Sequence, residues 1–293
     1  MSDQIDAPKM PVSEQLFYCT ARILWLDTDG QQSIGTGHYF HFKISETLMP
    51  CLITNRHVVA GAVKAIFRLT ATGPDGGPDH SKLVDITIED FSYRHELHPD
   101  DGIDMAVIPL EPVFDLFRKA MNTEPFYIPL GPNLIPTAAE LKELLAIESV
   151  TMVGYPNAIW DEKHNLPIAR RGTTATPPWI DHNGKSEFMI DIAVVGGSSG
   201  SPVFLFDEGG WVNRDGGTQL GSSRIRLLGV LWGGPVYTAE GVIEDQPVPT
   251  DMRPVARTQM LINLGYCIKA ERILEFVPAL EERTKRRILE GLA

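Results

Sequence analysis

The stretch GGSSGSPVF, residues 196–204, decides how the rest of the chain is read. Paired glycines, three serines around a further glycine, and a proline leading into apolar residues describe a sharp turn that feeds a strand. Gly197 and Gly200 free the backbone to turn and to aim amide N–H groups at one point, and Ser199 lies between them. Alone, a Gly-Ser cluster is a common flexible loop. Two upstream segments change its meaning. LITNRHVV (52–59) places His57 at the end of an apolar run, and GIDMAVIPL (102–110) places Asp104 at the start of another. Acyl transfer at neutral pH needs a hydroxyl, an imidazole to take its proton, and a shielded carboxylate to fix the imidazole tautomer. Asp101 is the rival carboxylate, but it lies in the polar HPDDG turn (98–102), whereas Asp104 enters the apolar strand directly.

Outward from these segments the chain reads as short strands. LFYCTARILWLD (16–27), TGHYFHFKI (36–44), PCLITN (50–55), VKAIFRLT (63–70), LVDITIEDF (83–91) and MAVIPL (105–110) follow at hairpin-like spacing, the rhythm of a small barrel. Residues 112–145 change character. VFDLFRKAM (113–121) and AAELKELLAI (138–147) are helical in period, with a Pro-rich stretch between, so this region is expected to connect two domains. Strand signals resume from SVTMVGYP (149–156) to TQMLINLGYCI (258–268). The expected organisation is a disordered N-terminus (1–13), a barrel (14–115), the connection (116–145), a second barrel (146–268) and a C-terminal helix (269–293) that Pro278 kinks or divides.

The order His, Asp, Ser and the strings TNRHVV, DMAVIPL and GSSGSP resemble trypsin-like peptidases of the chymotrypsin clan, over residues 15 to 270. Within that clan, GGSSGSPVF, the later LLGVLWGG (227–234) and GYP (154–156) are most similar to the bacterial glutamyl endopeptidase group. The resemblance implies an all-β fold of two six-stranded antiparallel barrels with the helix appended. It also implies a serine endopeptidase with Ser199 as nucleophile, His57 as base, Asp104 as orienting acid, and the N–H groups of Gly197 and Ser199 as oxyanion donors.

Departures from the family pattern matter too. Digestive members carry an Asp before the nucleophile, paired with a newly cut N-terminus; here that residue is Ser198, which removes such a switch. Ser198 and Ser201 are themselves hydroxyl alternatives. Where glutamyl endopeptidases read an acidic side chain with a His and a Thr, this chain has Leu231 and Val194, and Ala193 stands at the pocket base. A pocket of Ala193, Val194, Leu231, Trp232, Gly233 and Gly234 carries no fixed charge and is expected to take small or medium apolar side chains rather than Glu or Arg.

Composition narrows the partners. A net charge of -12 over 293 residues argues against nucleic acid, leaving a protein or peptide substrate and a possible regulatory protein. Three widely spaced cysteines suggest a reduced compartment, and the absence of a long apolar run suggests no membrane; the expected location is the cytoplasm. No cofactor or metal is expected. His38 and His41 alternate on one strand as packing residues, Cys51 reads as a buried hydrophobe, and Asp207 with Glu208 as a solvated turn. Arg170 and Arg171 read either as an exposed strand start or as a pair that steers an acidic substrate. A different class, a dormant protease-fold binding module, is the alternative function. An α/β-hydrolase is disfavoured because its serine would precede its Asp and His.

Overall fold

The computed structural model describes residues 10–239, 258–261 and 263–289. Residues 1–9 of the expected disordered N-terminus and 290–293 of the expected helix lie outside the described residues.

The N-terminal half is an antiparallel sheet of β1 (Thr20–Leu26), β2 (Gln32–Ile44), β3 (Thr47–Thr54), β4 (Lys64–Thr72), β5 (Pro78–Ile88), β6 (Glu96–Leu97), β7 (Ala106–Pro109) and β8 (Pro125–Phe126). Its order is β5-β4-β1-β2-β3-β7-β6, with β8 added to β4. The expected six-stranded closed barrel is therefore corrected here to an eight-stranded sheet for which no closure is seen among the described residues. The physical reason lies in β6, whose two residues pair only with Val107 and Ala106 of β7 and offer no ladder to β5.

A helix, Glu111–Met121, folds onto this half and buries Val113, Phe114 and Phe117 in its core. Its positions i, i+1 and i+4 form the apolar stripe, and Asn122 closes it in the left-handed conformation that asparagine tolerates. The fold is thus mostly rather than wholly β. Much of the stretch read as a connection packs against the N-terminal sheet, because β8 also pairs with β4 through Thr70 and Ala71.

The C-terminal half closes as expected. Strands β9 (Ser149–Gly154), β10 (Ile168–Thr174), β11 (Glu187–Asp191), β12 (Pro202–Asp207), β15 (Arg224–Gly233) and β18 (Leu264–Lys269) form a barrel in the order β10-β11-β18-β15-β12-β9. Two small hairpins stand outside it: β13 (Gly210–Val212) with β14 (Thr218–Leu220), and β16 (Val236–Ala239) with β17 (Thr258–Leu261).

The C-terminal segment divides in two, a 3₁₀ stretch Ala270–Phe276 followed by the α-helix Val277–Leu289, with Pro278 in the first α-turn where its missing N–H costs nothing. Only part of its apolar stripe is used: Ile273, Phe276 and Leu280 are buried, whereas Ile288 and Leu289 face solvent. Those three join a core drawn from both halves, including Phe40, Phe42 and Ile53 from one and Val153, Phe204 and Leu227 from the other. The segment therefore welds the two halves along their shared face.

Candidate active site

The sheet register brings the first two site residues together. Thr54 at the end of β3 pairs with Ala106 at the start of β7. His57 follows β3 by three residues and Asp104 precedes β7 by two, so both leave the sheet at the same end. His57 Nδ1 lies 2.5 Å from Asp104 Oδ2, and the His57 backbone N–H donates to Asp104 Oδ1 at 3.0 Å. The Nδ1–H donates to this carboxylate, which fixes the tautomer and leaves Nε2 as the free base. Asn55 Nδ2 donates to the Asp104 carbonyl at 2.7 Å and steadies the loop. Asp101 is turned to solvent and pairs with Arg56 at 3.0 Å, away from the imidazole.

Ser199 comes from the other half, three residues before β12. Docking is direct: the Thr36 N–H donates to the Ser199 carbonyl at 2.9 Å and Thr36 Oγ1 donates to the Gly197 carbonyl at 2.8 Å. Gly197 and Gly200 adopt φ of +81° and +86°. Any Cβ at Gly200 would also collide with the Thr36 carbonyl oxygen, so the position needs glycine on two counts. Ser198 and Ser201 are fully buried, and Ser199 alone of the three serines is partly exposed. Among the described residues the N–H groups of Gly197 and Ser199 have no hydrogen-bond acceptor within the protein. The Ser199 hydroxyl donates to the Trp232 carbonyl at 3.3 Å, and no hydrogen bond joins it to His57 among the described residues.

The expected pocket residues separate by environment. Ala193 is exposed and a Cβ at Gly233 would meet open space. Val194 and Leu231 are buried in the C-terminal core, and Gly234 packs against Leu264 and Val194. Trp232 is half-buried and stacks on Tyr266 with ring centroids 5.6 Å apart. The expectation that no charge stands near the pocket base needs amending: Arg170 is half-buried, and its guanidinium donates to the Ala193 carbonyl at 2.5 Å. Arg171, its neighbour, points outward to the Phe206 carbonyl.

Three residues beneath the loop escaped the sequence reading in this role. Thr36 braces it as described, and the Asn157 N–H donates to the Gly196 carbonyl at 2.6 Å. His38, wholly buried, lies with Nδ1 3.2 Å from the Gly200 carbonyl. A carbonyl only accepts, so the proton sits on Nδ1 and Nε2 is left buried without a partner. Their signal is visible only after pairing, since Thr36 and His38 are 160 residues and more from the loop they support.

Burial lowers the His38 pKa to about 4. The unfolded chain then binds a proton that the folded one refuses, so stability is full above the ordinary histidine value and is lost as pH falls from about 6.5 toward 4. Between pH 7 and pH 5 this group alone is expected to remove about 2 kcal/mol. Denaturant melts at the two pH values check it: wild type loses that stability and His38→Asn loses markedly less, whereas equal losses would assign the acid sensitivity elsewhere.

The remaining motifs are accounted for structurally. His41 Nε2 meets the Tyr127 hydroxyl at 2.9 Å. Cys19, Cys51 and Cys267 are free and buried, and burial pushes each thiol pKa up. Asp207 is not a solvated turn residue: it pairs with Arg224, which also holds the buried Glu148, both at 2.7 Å. Among the described residues no group of His, Cys, Asp or Glu is arranged to hold a metal, and no helix is long and apolar enough to cross a membrane.

The closed barrel thus carries the glycine-flanked Ser199, and the second sheet carries the His57–Asp104 pair. The chain belongs to the trypsin-like peptidase domain family, which it matches over residues 35–212, a span that holds His57, Asp104 and Ser199. No curated protein matches it in sequence. Among solved structures it is similar to the HtrA-type protease AlgW with a tripeptide, at 14% identity and TM-score 0.44, covering 92% of this chain and 62% of that one. It is also similar to AL20, a thermostable serine protease from an extremophilic microorganism (14% identity, TM-score 0.47, 90% of this chain and 97% of that one). A third is an inactivated protease paralogue of the scabies mite (12% identity, TM-score 0.45, 92% and 97%). The chain thus spans less than two thirds of the length of AlgW.

Proposed function

We propose that this protein is a serine endopeptidase that cleaves peptide bonds through an acyl-enzyme, after small or medium apolar residues. The observation that carries this reading is the short His57–Asp104 contact, set by strand register, at the mouth where the Ser199 loop docks. In the first step Ser199 Oγ attacks the peptide carbonyl carbon and its proton passes to His57 Nε2. The oxyanion that forms falls to the free N–H groups of Gly197 and Ser199. Collapse breaks the C–N bond, and His57 gives its proton to the departing amine. Water then attacks the ester, His57 takes the water proton, and Ser199 Oγ recovers it as the acid leaves. Exposed Ala193 and open Gly233 support a pocket that reads shape, because Arg170 Nη1 and Nη2 nearby already donate to the Ala193 carbonyl and Ser198 Oγ. Likeness to the glutamyl endopeptidase group is held at the level of these motifs, and a cytoplasmic setting rests on the three unpaired cysteines.

Profiling against a peptide library with every residue at the cleaved position tests the specificity: cleavage after Ala, Val or Leu is expected, and cleavage confined to Glu, Asp, Arg or Lys would contradict it. A second reading, a dormant module opened by a partner protein, draws on the Ser199 hydroxyl engaging the Trp232 carbonyl rather than His57. Catalytic hydrogen bonds commonly tighten only when substrate binds, which favours the first.

A further inference from the structure

We propose that Arg170 is a positioning residue for the nucleophile loop, a cationic clamp that holds residues 193–198 in the shape that receives a developing oxyanion; the proposal rests on the peptidase reading above. Arg170 belongs to β10, outside the loop, and its side chain reaches across to it. Nη1 donates to the Ala193 carbonyl at 2.5 Å and Nη2 to Ser198 Oγ at 2.9 Å. These two acceptors bracket Val194 to Gly197, the stretch with two adjacent glycines and the greatest freedom to change shape.

The other ties on the loop grip different atoms. Asn157 holds the Gly196 carbonyl and Thr36 holds those of Gly197 and Ser199. Ala193 and the Ser198 side chain are left to Arg170. Ser198 is wholly buried, so its hydroxyl needs a partner, and the guanidinium supplies it.

Both acceptors are neutral oxygens, the Nε of Arg170 is buried without a partner, and no carboxylate pairs with this arginine among the described residues. A half-buried cation without a counter-ion is costly to keep. Here it contacts Ser198, the residue between Gly197 and Ser199, whose free N–H groups are assigned to the oxyanion. A positive charge in that place acts on negative charge present only in the transition state.

The test compares wild type with Arg170→Met, Arg170→Lys and Ser198→Ala. Arg170→Met is expected to lower kcat about 100-fold with KM within about threefold, and to weaken binding of a peptide boronate, a tetrahedral mimic, in parallel. Arg170→Lys recovers part of the loss, and added guanidinium restores part of the Arg170→Met activity. Hydrogen exchange of residues 193–199, which needs no turnover, is expected to quicken in Arg170→Met. A folded Arg170→Met with wild-type kcat and unchanged exchange overturns the proposal. Quickened exchange in a protein whose wild type hydrolyses nothing and ignores serine probes keeps the clamp and sinks the peptidase reading. If Arg170→Met does not fold, Ser198→Ala decides, since it keeps the cation and removes one acceptor: a smaller fall in kcat at constant KM supports the clamp, and unchanged kcat overturns it.

Discussion

Replacing Ser199 or His57 with alanine is expected to lower kcat for a good peptide substrate by about 10⁴- to 10⁶-fold, with KM little changed. The double variant falls no further than the worse single one. In the proposed mechanism nucleophile and base act as one unit, so losing either removes the step that both serve, and their effects do not add. Asp104→Asn belongs to the same series. An amide at that place leaves the contact to Nδ1 but stops stabilising the imidazolium and permits the wrong tautomer, with an expected loss of about 10⁴-fold. Steady-state kinetics on the purified variants checks all of this. Additive losses, or wild-type rates in His57→Ala, would remove the imidazole from the mechanism.

The second large effect is on stability. Phe276 is wholly buried between the two halves, and its ring meets His98 edge-on with centroids 5.1 Å apart. Phe276→Ala is expected to cost about 3–5 kcal/mol, the transfer energy of the ring plus the cavity it leaves. On a chain of this size that is about 5–8 °C in Tm. The loop that ends in Asp104 should loosen with it. The Asp100 N–H points at His98 Nδ1, leaving the Nε2 proton for the Arg272 carbonyl at 3.1 Å, and Arg272 also pairs with Asp100 at 2.8 Å. A melting scan checks the size of the effect. A shift within 2 °C or so would mean that the C-terminal segment adds little to the shared core.

How far the sequence foretold this structure depends on the range of the interaction. The ends of β3, β7 and β12 were legible because apolar runs stop where polar or glycine residues begin, and those ends carry His57, Asp104 and Ser199. The Thr54–Ala106 register that joins two of them was not, because pairing across fifty residues leaves no trace in local periodicity. Closure of the N-terminal sheet was expected from strand rhythm and from the family resemblance, yet β6 is two residues long, and strand count does not report strand length. The helical period of 113–121 was read correctly, but which half it covers is settled by Phe114 and Phe117, not by its place between strand groups. Asp207 passed for a turn residue because Arg224 lies seventeen positions on, directly opposite only once β12 and β15 pair. Neither reading of Arg170, an exposed strand start or a residue that steers an acidic substrate, included this contact, because its partners lie on a loop the strand pattern does not contain.

Labelling with a fluorophosphonate, followed by mass spectrometry of the adduct, tests the central claim most directly, because it asks whether Ser199 is activated without requiring the right substrate. The structure predicts a single adduct on Ser199 in the wild type, lost in Ser199→Ala and His57→Ala. A folded wild type that takes no label, or takes it on another residue, would contradict an assembled serine peptidase site.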